Sequence, residues 1–238
     1  MEGQHRDLLW RIIAESVEAP TADGWAAAVC VACVSVLPGV DAAALTVRAD
    51  GVQETWGSSD EWAEELEQLQ YTVGEGPSFE ASATARQVLV PDLAADSGRW
   101  PGFAQAALPV GLAAMFAFPL HLGAIRLGVL DLYRRHPGRL PSRELTDATV
   151  LANLATVAVL EQARQDKAAG DSQLSRHAGP YQEVSIATGM LAVQLEIGLV
   201  EALARLRSRA FAEGRSVHEL ARDVIERKIR FDDPNGEA

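Results

Sequence analysis
The sequence is poor in cysteine: Cys30 and Cys33 are the only two in 238 residues. A single pair excludes a disulfide framework, and no neighbouring histidine completes a metal set. The "CVAC" spacing has two readings, a redox or half-zinc site and two small apolar residues at i and i+3 of one helix face. The Val and Ala flanks favour the second. Long apolar runs are also missing. The longest, "WAAAVCVACVSVL" (25–37), has 13 residues and contains Ser35. Roughly 20 are needed to span a bilayer, so this run predicts a buried helix and no membrane association. The N-terminus "MEGQHRDLL" has neither a basic nor an apolar signal region, which predicts a cytoplasmic protein.

Catalytic signatures are absent as well. There is no GxSxG, HExxH, kinase, phosphatase or receiver-domain pattern, and His5, His121, His136, His177 and His218 are scattered. The chain is expected to be no enzyme, with no metal and no cofactor.

What is present describes a globular chain: 48% hydrophobic and 23% charged residues, enough to bury a core. The net charge of −12 argues against indiscriminate nucleic-acid binding, but it is unevenly spread. Residues 1–175 carry −11, residues 176–231 carry +2 and the tail "DDPNGEA" carries −3. An acidic body and a mildly basic end predict two units with different roles.

Apolar spacing predicts helices over 5–17 and 22–37. "AAALTVR" and "VQETWGS" flank Asp50-Gly51, a strong hairpin signal. A charged helix, "SDEWAEELEQLQ", follows. "RQVLVPDL" is a strand stopped by Pro91, and "RWPGFAQAAL" a short helix opened by Pro101. "LAAMFAFPLHL" and "AIRLGVLDLYR" form a second hairpin around Gly123, and a long helix runs from about 142 to 168. The order predicts an α+β fold, an antiparallel sheet flanked by helices.

"YTVGEGPSFE" (71–80) resembles a phosphate-cradling loop at first sight. It lacks the lysine such a loop needs, and Pro77 removes one backbone N–H. Gly76 before Pro77 reads as a helix-entry turn instead, with Glu75 and Ser78 as candidates for edging a small-molecule cavity.

After a polar joint at 169–180 come three helix-period segments, predicting a C-terminal all-α three-helix bundle over 181–231 and an acidic tail at 232–238. The second carries Leu203, Leu206, Ala210 and Phe211 as its apolar stripe, and Ser216 and Glu219 predict a capping box for the third. Arg205 and Arg209 stand at i and i+4 on one exposed face, Arg215 sits in the following turn, and Arg222, Arg227, Lys228 and Arg230 decorate the third helix. Such cations neutralise RNA phosphates, or pair with Glu201, Glu213 and Glu226 on a solvated face. Arg207 sits at the edge of the stripe, either paired structurally or held for a phosphate. Gly189 lies inside a helix at a cost of ~1 kcal/mol, which a packed helix or an approaching RNA backbone would offset, the former being favoured. Thr188 and Gln194 are neutral hydrogen-bonding groups beside it.

"IATGMLAVQLEIGLVEALARLRSRAFAEGRSVHELARDVI" resembles the ANTAR domain, an RNA-binding three-helix module of bacterial antiterminators. Ala187, Gly189, Met190, Glu201, Ala202, Leu206, Arg207, Ala210, Leu220 and Ala221 carry the match. Residues 1–168 resemble a GAF domain of the actinobacterial GAF–ANTAR type, through "VGEGP", "RQVLVPDL", "RWPGF" and "FPLHLGAIRLGVLDLYR". Two positions depart from these patterns: Thr188 stands where many ANTAR sequences have lysine, and Ser78 where GAF relatives of this kind often have cysteine. The resemblance implies a sensor that controls a bundle binding paired stem-loops in nascent leader RNA, so that termination is prevented. A homodimer is expected as well, since a bundle of about 55 residues buries little surface alone, with an unidentified small-molecule ligand as a further expected partner. Thr188, Gly189, Gln194, Arg205, Arg207, Arg209, Arg215 and Arg222 are the RNA-contact candidates. The alternative is a small-molecule-sensing module whose end bundle serves dimerisation or protein interaction. A DNA-binding helix-turn-helix is less favoured, given the bundle's weak net charge.

Overall fold
The computed structural model describes residues 24–49, 52–168 and 180–231. The expected helix over 5–17, the Asp50-Gly51 turn, residues 169–179 of the joint and the acidic tail lie outside these. The chain divides into two compact units, Met1–Gln70 with Glu75–Gln173, and Tyr71–Gly74 with Leu174–Ala238.

In the first unit, α1 (Gly24–Val36) precedes the β1 (Ala42–Ala49) and β2 (Val52–Ser58) hairpin. Next come α2 (Glu61–Val73), whose last residues from Tyr71 belong to the second unit, then α3 (Pro77–Thr84), β3 (Val88–Val90) and α4 (Pro101–Ala107). A second hairpin, β4 (Ala114–Leu122) and β5 (Ile125–Arg134), leads into the long α5 (Ser142–Ala168). The sheet order is β2-β1-β5-β4-β3, and every neighbouring pair is antiparallel. The α+β architecture expected from element order is therefore the one observed.

Strand side chains alternate between two faces, and each face has its own core. Ala43, Leu45, Val47, Phe116, Phe118, Leu120, Leu130 and Leu132 face α1 and α5. Ala42, Ala44, Met115, Ala117, Val129 and Tyr133 lie under α2, α3 and α4, with Trp62, Leu66 and Phe103. Each fully buried Phe or Leu contributes about 1.5–3 kcal/mol over an exposed one. Cys30 and Cys33 are completely buried in the first core as free thiols, and burial pushes the Cys33 thiol up to about 12. The apolar reading of "CVAC" is the one that fits. Gly57 explains how α1 reaches the sheet: a Cβ there would stand 2.2 Å from the Ala27 backbone nitrogen.

The second unit contains α6 (Pro180–Leu195), α7 (Leu199–Glu213) and α8 (Val217–Ile225). Val184, Ala187, Leu191, Ala202, Leu206, Ala210, Leu220, Ala221 and Val224 form its buried stripes at three- and four-residue spacing. Gly214 ends α7 in the left-handed region (φ 64°), its N–H donating back to Ala210 and Phe211. The Ser216–Glu219 capping box opens α8. Two expectations are corrected here. Phe211 is 40% exposed and lies off the buried stripe. Arg227, Lys228 and Arg230 follow the last turn of α8 instead of decorating it, with Arg227 at φ 59°. Among the described residues no single helix is long and apolar enough to cross a membrane.

Candidate functional site
The glycine turn between α2 and α3 is built for helix entry. Gly76 is the N-cap of α3 at φ 145°, and Pro77 takes the first helical position, where no N–H is needed. The Gln70 carboxamide oxygen accepts from the Ser78 N–H at 3.1 Å, satisfying a first-turn donor. A Cβ on Gly76 would stand 2.4 Å from that oxygen. Glu75 points elsewhere: its Oε1 accepts from the N–H groups of Gly102 (2.7 Å) and Phe103 (3.2 Å), capping α4. That oxygen helps hold the fold together. Ser78 does face inward, buried, with its hydroxyl towards Asp131.

Beneath α2 and α3 the sheet carries a polar interior. Thr46 Oγ1 donates to Glu67 Oε2 at 2.6 Å, and the Tyr133 hydroxyl donates to Glu67 Oε1. Gln70 Nε2 approaches the same oxygen at 3.5 Å. Asp131 is fully buried, facing the Ser78 hydroxyl and the Glu67 carboxyl, and its oxygens make no well-formed hydrogen bond among the described residues. Burial, then the charge of Glu67, holds its carboxyl well above the usual carboxylate range. Glu67 is raised too, by burial, although its hydroxyl donors oppose the shift. The sequence hid this group. Glu67 sits in "EELEQLQ", a run with the look of a solvated helix face, and Asp131 in the apolar run of β5.

In the second unit the RNA-contact candidates separate into three sets. Thr188 is buried, and its hydroxyl donates to the Val184 carbonyl at 2.6 Å, so it braces its own helix. Arg207 lies with its guanidinium 4.9 Å from the Tyr71 ring centre and beside Gly74. Tyr71 also stacks on His218, whose burial lowers its pKa to about 4 and keeps it neutral. Arg215 binds Asp223 at 2.5 Å, and Arg222 approaches Glu183 at 3.5 Å. These contacts tie the unit together.

The third set converges. A groove of about 620 Å³ is lined by Gly189, Met190, Val193, Gln194, Val224, Arg227, Ile229 and Arg230. Gln194 Nε2 donates to the Phe231 carbonyl at 2.6 Å. Arg209 donates to the Arg230 carbonyl at 2.9 Å, lies 4.8 Å from the Phe231 ring centre and pairs with Glu213. Arg205, one turn earlier, pairs with Glu201 at 2.7 Å. A Cβ on Gly189 would meet nothing within 4 Å, so packing inside the described chain is not the reason for this glycine, contrary to the favoured expectation. Arg227 and Arg230, both exposed, complete the basic rim. Only the backbone course after α8 brings them here, which helical spacing does not foretell.

The five-stranded antiparallel sheet, with helices on both faces and a polar interior, defines a small α+β domain. The chain belongs to the GAF domain family, whose model matches residues 19–160. The GAF domain of an Acinetobacter phosphoenolpyruvate-protein phosphotransferase is similar at 13% identity and TM-score 0.52, covering 69% of this chain and 97% of that one. That of a Coxiella burnetii phosphoenolpyruvate-protein phosphotransferase is similar at 18% identity and TM-score 0.51, covering 71% and 99%. A putative GAF sensor protein from Burkholderia vietnamiensis is similar at 16% identity and TM-score 0.51, covering 69% and 99%. At these identities the likeness is one of fold. No curated protein matches the chain.

Proposed function
We propose that the chain is a transcription antitermination regulator: a GAF sensor controlling a C-terminal ANTAR-like bundle that binds paired stem-loops in nascent RNA. The observation that carries this reading is the groove beside Gly189. RNA recognition needs cations for phosphates and an accessible surface on which loop bases rest. The groove offers Arg227 and Arg230 with no hydrogen bond or ion pair to their guanidinium groups among the described residues, and Arg209 and Gln194 held at its edge. The open space over Gly189 lets a sugar–phosphate backbone approach the helix closely. Gly189 and Gln194 thus stay in the proposed contact set with Arg205 and Arg209, joined by Arg227 and Arg230. Thr188, Arg207, Arg215 and Arg222 are assigned to structure.

The mechanism is binding alone, in the cytoplasm, with no bond made or broken. Holding the stem-loop form of the leader disfavours an overlapping terminator hairpin, and the chain acts as a homodimer. Crosslinking the full chain to RNA in its native host, then sequencing the bound RNA, tests this. Leader segments that fold into paired stem-loops upstream of terminators are the expected yield. Only abundant background RNA would overturn the reading.

A second reading is favoured by the exposed apolar residues Val193, Leu199 and Val200. These suit a bundle used for dimerisation or protein contact. It predicts that charge reversal at Arg205 and Arg209 leaves function intact.

A further inference from the structure
The polar interior of the first unit holds two carboxyl groups with too few partners for two negative charges. Glu67 and Asp131 are 1% and 0% exposed, and each contributes to the electrostatic environment of the other. Glu67 is provided for as an anion, since Thr46, Tyr133 and Gln70 all aim donors at it. Asp131 has less: its oxygens, buried like the Ser78 hydroxyl, make no well-formed hydrogen bond among the described residues, and the polar groups that act on them are the Ser78 hydroxyl and the Glu67 carboxyl itself. Among the described residues, Cys30 from α1 and Thr55 from β2 also face the pair. None of the groups named here carries a positive charge. A buried, uncompensated second carboxylate would cost several kcal/mol, whereas a proton removes the conflict.

We propose that Glu67 and Asp131 hold a single proton between them, and that its loss loosens the α2–α3 turn through Gln70. The link is geometric. Gln70 donates to Glu67 on one side and accepts from the Ser78 N–H on the other, with Gly76 packed against its carboxamide. A second negative charge beneath Ser78 and Glu67 strains this arrangement, and the helix-entry turn is where it yields. The proton is thus a ligand of the sensor interior, and the device responds to alkalinity.

The sign follows from linkage. A carboxyl whose pKa is raised by folding stabilises the fold below its unfolded value and loses that contribution as pH rises towards its folded value. Asp131→Asn keeps the neutral form and removes the titration. Its stability relative to wild type should therefore rise steadily with pH above about 4. Two measurements on the full chain test the proposal. At neutral pH the infrared spectrum of the wild type should show the carbonyl band of a protonated buried carboxylic acid, absent from Asp131→Asn. Hydrogen exchange at the Ser78 amide, corrected for intrinsic rate, should lose protection by about tenfold as pH rises in wild type and not in Asp131→Asn. If Asp131→Asn folds poorly, the wild type alone decides: its acid band should fade with rising pH over the same range in which the Ser78 amide loses protection. No protonated-acid band, or Ser78 protection independent of pH, would overturn the proposal.

Discussion

Gly76→Ala is expected to lower the stability of the first unit by about 3 kcal/mol or more, the sum of two costs. At φ 145° and ψ 172° the backbone occupies a region that is essentially reserved for glycine. The added methyl would also stand 2.4 Å from the Gln70 carboxamide oxygen. That oxygen cannot retreat without releasing the Ser78 N–H at the start of α3. Thermal unfolding should register a drop of roughly 10 °C, at 2–4 °C per kcal/mol for a domain of this size. A drop within a degree or two would mean that the turn is plastic, and that Gln70 does not lock the entry to α3.

The second large effect is on RNA affinity. Arg227→Glu/Arg230→Glu is expected to weaken binding to the crosslinked leader RNA by at least about 100-fold, from two charge-assisted contacts of about 1.5 kcal/mol each. The salt dependence of binding should become shallower by about two units of slope. Folding should be little affected, because neither guanidinium has a structural partner among the described residues and both residues are exposed. Arg205 and Arg209 make poorer probes, since their pairs with Glu201 and Glu213 support α7 itself. Gly189→Ala sharpens the comparison. A methyl there meets no atom of the described chain and should stabilise the helix by up to ~1 kcal/mol. On the proposed reading the same methyl weakens RNA binding. Stability and affinity then move in opposite directions, which a purely structural glycine does not produce.

Much of this fold was legible because its signals are local. Alternation in "AAALTVR" and "LGVLDLYR", the Pro101 and Pro77 helix starts and the Ser216 capping box each lie within a few residues. The site was less legible because its geometry is not local. Glu75 finds its partners 27 and 28 residues away on α4, which no turn motif encodes. Thr188 could have faced either way by polarity alone, and its back-bond to Val184 follows from its inward position on α6. Arg205 and Arg209 were recognisable as a pair, but the groove proposed for RNA is completed by residues after α8. Glu67 and Asp131 escaped notice for the opposite reason, since a charged side chain in an ordinary-looking pattern gives no sign of being buried.

The central claim is that binding to RNA prevents termination. The most direct measurement is terminator read-through during transcription in vitro, on a template carrying the crosslinked leader and its terminator, with purified full chain added. The account predicts that wild type raises read-through in proportion to leader binding and that Arg227→Glu/Arg230→Glu does not. Wild-type protein that saturates the leader RNA and leaves read-through unchanged would contradict it.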